Sequence, residues 1–387
     1  MLKDYNINHE LFVKYEAAAK ATFDPGFVSR EHVLAIAEEA KLPEENKQFL
    51  ADFFDYADEE LLQFIWLFYY IQYHTDEDFK YDIWYLDTLP MPEESEAKFP
   101  GGIKAVTYLL SAENLKKWVA ERDLGYDVVE AYFGRYHYFI ELNVITPGTR
   151  GLCRLTPFLY GYSKPFSLRL GRLAFQLKAF TNHMDLYENS KGERIMVATQ
   201  NYGYDTDGLP LESGGTVPIY EKNGDTLICQ TFDSKGRLCK DTITIDLNEY
   251  KLALTATDDV VTIHIPEGGK LTMDDVKKSM VRAREVFTKH FPSFKSFVCR
   301  TWFIDPALRG EIIKDTSNMA MFADLFTVIC EEDQNNHSVF EHVFKVARQP
   351  LENLTPKNDF QKRVLDRALR GEKIYWSYGI MRNDFEY

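Results

Sequence analysis

The sequence predicts an α+β protein: a helical N-terminal domain over residues 1–122, then a mixed α/β domain over 123–387. Three observations predict it. Up to about residue 120, apolar residues recur at helical spacing. Past about residue 125 the period changes, and Leu168 to Phe180 (LRLGRLAFQLKAF) alternates as a strand does. A strand–helix–strand unit then runs from Val260 to Ile304. A chain of 387 residues fits two domains of ordinary size.

In chain order, Ser29 is placed to cap a helix carrying Val33, Leu34 and Ile36. Leu50, Phe53, Phe54 and Tyr56 follow at mixed helical spacing. Glu59 to His74 is apolar nearly all round, as a central bundle helix is. Met91 to Gly102, with Pro, Glu, Ser and Gly, predicts an exposed loop. Ile103–Leu110 and Leu115–Val119 predict two helices, with Ser111 capping the second. Leu168 to Phe180 predicts one long strand, bulged at Gly171.

Asp207-Gly208, Gly214-Gly215, Asn223-Gly224 and Lys235-Gly236 punctuate short strands between 200 and 250. VVTIHI (260–265) is a strand broken by Pro266 and the Gly268-Gly269 pair. Thr272 to His290 is an amphipathic helix opened by a Thr272-to-Asp275 capping box. FVCRTWFI (297–304) is the return strand, parallel to the first by right-handed crossover. A helix over Asn318 to about Phe326, another over Asp359 to Gly371 and a strand at Tyr375 to Tyr378 complete the chain.

Composition narrows the function. A net charge of −15 opposes nucleic acid, whose phosphates need clustered Lys and Arg. Five scattered cysteines without a CxxC pair predict neither a disulfide framework nor a zinc site, and fit a reducing, cytoplasmic setting. The start MLKDYNINHELF has no apolar signal-peptide core, and Leu61 to Ile71 is too short to span a bilayer. No HExxH or paired-histidine motif predicts a metal. A small-molecule substrate is the expected partner; the oligomeric state stays open.

The runs PFSLRLGRLAFQL (165–177), VVTIHIPEGGKL (260–271), FVCRTWFIDPAL (297–308) and TSNMAMFADLF (316–326) occur in this order. With the tail from Leu354 to Gly379, they resemble bacterial acyltransferase-domain proteins, which have a helical N-terminal domain and a GNAT-like C-terminal domain. The resemblance reaches from about 125 to the end, and is not carried onto the turn-rich stretch 181–248. It implies a splayed central sheet, acyl-coenzyme A bound at the splay, and acyl transfer to an amine or similar acceptor.

On that resemblance, coenzyme A's pyrophosphate would lie on backbone amides where strand turns into helix, with Ile265, Gly268, Gly269 and Lys270 as its contacts. The R/Q-x-x-G-x-G/A signature of GNAT enzymes is absent, and Asp274 and Asp275 occupy the first helical turn, where they compete with an anion. Asn318 matches the residue that orients the pantetheine arm. Where the family has a Tyr that protonates the leaving thiolate, this chain has Leu325 or Phe326.

Three further residues are candidates for chemistry. His264 shares a strand face with Thr262; it is either a general base or a hydrogen-bonded structural residue. Cys299, on the neighbouring strand, is either a nucleophile served by His264 or a small core residue. Ser317 is a catalytic candidate or a helix cap. Arg169 and Arg172 lie on opposite faces by period two, so one of them points inward to hold a carboxylate or phosphate; Arg172 is taken as the candidate substrate contact. Two competing readings stay open: a non-catalytic binding or regulatory module on the same scaffold, and an aromatic-lined carbohydrate-binding or carbohydrate-active protein.

Overall fold

Helices fill the first part of the chain. The computed structural model describes residues 5, 7–74, 84–142, 150–152, 156–164, 166–211, 213–266, 269–333 and 335–383. In these, α1 (Glu10–Ala21), α2 (Arg30–Glu39), α3 (Glu44–Tyr56), α4 (Glu59–His74), α5 (Glu93–Lys98), α6 (Gly102–Glu121), α7 (Asp127–Leu142) and α8 (Thr156–Gly161) follow one another. Ser29 caps α2 as its sequence predicts, its hydroxyl accepting from the His32 amide at 3.2 Å. In α4, Phe64, Ile65, Leu67, Phe68 and Ile71 are all fully buried, and the helix packs on α1 and α6. Each such side chain contributes roughly 1.5–3 kcal/mol by leaving water.

Two expectations are corrected here. The stretch 91–102 is not all loop: Pro92 opens α5, and Phe99 just after it packs edge-on against Phe49 and Phe53. Ser111 caps nothing, because α6 runs unbroken through it. Its hydroxyl donates to the Thr107 carbonyl one turn back, at 2.7 Å, and accepts from Gln72 Nε2 at 3.0 Å. A hydroxyl satisfied that way sits inside a helix without ending it.

The chain divides into two compact units, Met1–Arg169 and Leu170–Tyr387, so that α7 falls in the first. Tyr132 stacks on Tyr108 of α6 with ring centroids 4.2 Å apart, and each hydroxyl donates to the other's carbonyl, at 2.6 and 2.9 Å. That reciprocal pair ties α7 to the helices before it.

The second unit is built on β1 (Ser167–Leu170), inside which the division falls, β2 (Leu173–Ala179), β3 (Met184–Asn189), β4 (Arg194–Ala198), β5 (Gly203–Tyr204), β6 (Pro210–Leu211), β7 (Tyr220–Asn223), β8 (Thr226–Phe232), β9 (Leu238–Asp246), β10 (Tyr250–Leu254), β11 (Asp259–His264), β12 (Ser296–Thr301), β13 (Phe326–Asp333) and β14 (Tyr375–Met381). Three helices join them: α9 (Met273–His290), α10 (Asn318–Ala323) and α11 (Asp359–Leu369). The main sheet has the order β1-β2-β11-β12-β14-β13. Its pair β11/β12 is parallel, as the crossover through α9 predicts. A second sheet, β10-β3-β4-β8-β7 with β9 on β8, is inserted between β2 and β11.

The two sheets share a core. Met184, Leu186, Met196 and Leu254 of the inserted sheet pack with Val260, Val298, Ile329, Tyr378 and Ile380 of the main one. The other face of the main sheet takes α9, whose Val276, Met280, Ala283 and Phe287 are fully buried. Phe287 meets Phe175 there with centroids 6.3 Å apart.

The one long strand expected over 168–180 is two. The chain turns at Gly171-Arg172, where Gly171 has φ +76°. A left-handed residue in a two-residue connection is a hairpin turn, and period two reads the same through it. The strand expected to reach Ile304 ends at Thr301, where Trp302–Ile304 coil into a 3-10 turn. β13 ends on the charge run Glu331 to Asp333.

Candidate functional site

The site begins where two strands part. β11 and β12 pair in register only from Val260↔Ser296 to Thr262↔Val298. Beyond that point each strand follows its outer neighbour. His264 pairs Ala174 of β2, while Arg300 and Thr301 pair Tyr378 and Ser377 of β14. The parallel pair therefore opens toward the C-terminal ends of both strands, as the resemblance implies.

At that opening β11 runs into the loop that leads to α9. Thr272 is the N-cap, accepting from the Asp275 amide at 3.2 Å and donating its hydroxyl to the Asp275 carboxylate at 2.6 Å. The cap read from the sequence is thus present, with the Asp275 carboxylate on the Thr272 hydroxyl. Gly269 has φ +69°, with open space where a Cβ would lie, and Lys270 is exposed. Gly268 lies outside the described residues.

Arg172 lies at the β1–β2 turn and is half-buried. From the hairpin turn it reaches across to this loop, donating from Nη1 to the Pro266 carbonyl at 2.6 Å and from Nε to the Lys270 carbonyl at 3.3 Å. Its own amide donates to Ser279 Oγ of α9 at 2.9 Å. Gly171 makes that approach fit: a Cβ on it would stand 2.9 Å from the same Ser279 oxygen. The carbonyls of Pro266, Gly269 and Lys270 thus face the guanidinium.

Strand register settles the geometry of His264 and Cys299. Thr262 stands opposite Val298, so Thr262 and His264 share a face with Val298 and Arg300. Cys299 points to the opposite face, the one covered by α9. The structure does not bring Cys299 and His264 together, and the nucleophile–base pair is corrected to two residues on two sides of the sheet. Cys299 is buried, its thiol donates to the Ile263 carbonyl at 3.5 Å, and burial pushes its pKa well up. A thiol so placed is a packing residue.

His264 is half-buried, with Nε2 3.1 Å from Gln176 Oε1 on β2. Thr262 Oγ1, on the same face, is buried without a hydrogen-bond partner. Ser317 is the cap of α10, accepting from the Ala320 amide at 3.2 Å. Asn318 begins that helix and is exposed, and α10 packs against α9. Ile265 is half-buried between His264 and Pro266.

One cluster escaped sequence reading. Glu331 of β13 accepts from Asn182 Nδ2 at 2.5 Å and from Arg300 Nε, and Arg300 lies over the Trp376 ring at 5.4 Å. Lys178 stands within their field; burial lowers its pKa, Arg300 lowers it further and Glu331 opposes. Arg300, the charged residue of β12, is the signal the sequence offers. Among the described residues no group of three or more His, Cys, Asp or Glu side chains is gathered to hold a metal, and no helix is long and apolar enough to cross a membrane.

Strand order, the parallel β11/β12 pair and its opening define a GNAT-type domain. Residues 168–381 match the family described as GNAT-like C-terminal domain, and the chain belongs to that family. Among solved structures it is similar to a variant acyltransferase in complex with octanoyl-CoA, at 15% identity and TM-score 0.60. It is also similar to an acyltransferase in complex with decanoyl-CoA and teicoplanin, at 16% identity and TM-score 0.59. Each likeness covers 91% of this chain and 88% of the other. The fold therefore extends through the helical unit as well. No curated protein matches.

Proposed function

We propose that this protein transfers an acyl group from acyl-coenzyme A to the amine, or a similar nucleophile, of a small-molecule acceptor. The observation that carries the reading is the parting of β11 and β12 after Thr262 and Val298, followed at once by a loop braced by Arg172. Related folds hold octanoyl-CoA and decanoyl-CoA, which supports an acyl-coenzyme A donor. In this reading Ile265, Gly269 and Lys270 contact the donor's pyrophosphate by backbone amides and the Lys270 ammonium, and Gly268 does so with them. Asn318 orients the pantetheine arm. His264, held through Nε2 against Gln176, takes the acceptor's proton. The acceptor nitrogen attacks the thioester carbonyl, the C–S bond breaks from the tetrahedral intermediate, and coenzyme A leaves as thiolate. The setting we infer is cytoplasmic, in keeping with the free thiols of Cys229, Cys239, Cys299 and Cys330.

A second reading, a binding module without turnover, is favoured by one observation. Leu325 and Phe326 are both buried and apolar, where the family places its thiolate-protonating Tyr. Calorimetric titration of acetyl-, octanoyl- and decanoyl-coenzyme A into the wild-type protein and Gly269→Glu separates the readings. Binding lost in the variant, with free thiol released when amines are added, supports the enzyme. Binding without thiol release supports the module. No binding of any of the three sinks both.

A further inference from the structure

The inserted sheet ends on a bare strand edge. β9 is nine residues long, against four for β7 and five for β10, the other ends of that sheet. Among the described strands it pairs with β8 alone. The outer edge of β13, by contrast, is covered: its Cys330 amide donates to the Gly236 carbonyl at 2.8 Å. Which way each β9 residue faces follows from β8. The Gln230 amide donates to the Ile219 carbonyl on the β7 side at 3.2 Å, so the amides of Cys229 and Leu227 point the other way, to β9. Their register partners Ile243 and Ile245 answer them, and the Leu247 amide donates to the Asp225 carbonyl at 2.7 Å in the same phase. Thr242 and Thr244 therefore turn amide and carbonyl away from β8. Both are exposed, and Ile243 between them is 38% exposed. The open run has two stops. Gln230 Nε2 donates to the Lys240 carbonyl at 3.1 Å, where β9 bulges, and the Glu249 amide donates to the Asp246 carbonyl at 3.2 Å. Ile243 lies midway between these stops, and the stops carry opposite charges.

A strand edge with unmet amides and carbonyls is a template for another strand. A second β9 can lie antiparallel on it about a two-fold axis at Ile243. Each Thr242 then meets the partner's Thr244 as a hydrogen-bonded pair, and Ile243 meets the partner's Ile243 as a close, non-hydrogen-bonded one. The same register sets Lys240 across from the partner's Asp246 at both ends, and Asp241 across from the partner's Ile245. No acid faces an acid, which matters in a chain of net charge −15. An axis at Thr242 or Thr244 would lose both ion pairs. We propose that β9 is a self-association edge, through which two copies of this chain join their inserted sheets into one continuous antiparallel sheet. The edge is remote in sequence from the loop before α9, and the inference does not rest on the acyl-transfer reading.

The test is analytical ultracentrifugation of the full chain from about 1 to about 300 µM, the span that a small, weak interface calls for. The proposal expects the average mass to climb from monomer toward dimer. Thr244→Pro removes an amide that faces away from β8, so the melting temperature should hold while the climb disappears. Lys240→Glu and Asp246→Lys should each weaken the dimer by about threefold to tenfold, and the double variant should restore it. Cross-linking reads the register. With diamide as oxidant, Ile243→Cys in a Cys239→Ser background should yield a disulfide-linked dimer. Thr244→Cys in the same background should not, because it faces the partner's Thr242. Should Thr244→Pro fail to fold, the charge exchange and the cross-link decide. The proposal is overturned if the wild-type chain stays monomeric throughout, or if Thr244→Pro associates as the wild type does. It is overturned equally if Thr244→Cys cross-links as readily as Ile243→Cys, since the chains then meet in another register.

Discussion

The Arg172 guanidinium donates to the Pro266 carbonyl at 2.6 Å, which ties the turn of the β1–β2 hairpin to the end of β11. The contact links two segments far apart in sequence and fixes the loop on which the proposed donor site depends. Arg172→Met should therefore weaken acyl-coenzyme A binding by about tenfold, the worth of a charge-assisted hydrogen bond. It should shift the Tm only slightly, because the side chain is partly exposed. Calorimetry beside a melting curve measures both. Unchanged affinity would show that the loop holds its shape alone.

Gly171→Ala tests the same contact from the backbone. The new Cβ would meet Ser279 Oγ at 2.9 Å, at a residue with φ +76°. We expect destabilisation of about 1–3 kcal/mol, read as a lower midpoint in urea at constant m-value.

Cys299→Ala should leave turnover within about twofold of wild type while lowering stability by about 1 kcal/mol for the lost packing. Native protein should also protect this thiol from alkylation, because burial holds it protonated. A loss of kcat without loss of stability would restore Cys299 to the chemistry.

Stability should fall as acid is added, and His183 is one cause. It is buried among the rings of Tyr202, Tyr204 and Phe232, its Nε2 has no partner, and burial pushes its pKa down to about 4 from the usual 6.5. Between those values the unfolded chain binds the proton and the folded chain does not. The contribution is therefore complete above pH 6.5 and is lost as pH falls toward 4. Its size is at most on the order of 3 kcal/mol. Melting curves from pH 7.5 down to about pH 4.5 should be flatter for His183→Phe than for wild type.

How much of this was legible in the sequence depended on whether a residue's partner was local. Ser29 and Thr272 cap helices three residues on, so their roles could be read from spacing. The parallel unit was legible because one helix and two strands are contiguous. Arg172 could be singled out but not assigned, since its partners lie beyond residue 265 and are carbonyls, which every residue has. The hairpin at Gly171 was hidden because alternation passes through a two-residue turn without a break. Ser111 misled, because a hydroxyl that bonds one turn back has the same composition as one that caps. The Glu331, Arg300 and Asn182 cluster draws one residue from each of three distant segments.

The inserted sheet leaves and rejoins the main one at a single point. Ala179 and Asp259 are register partners, and Phe180 and its return neighbours close the gap, with the Phe180 amide on the Asp258 carbonyl at 2.7 Å and the Thr257 amide on the Phe180 carbonyl at 2.8 Å. In engineering terms the β2–β11 pair is a socket: its two contacts are adjacent whatever is plugged into them. A short hairpin turn from Phe180 to Asp258 would leave the order of the six main strands intact. Such an exchange would leave the apolar face of that sheet to be covered anew.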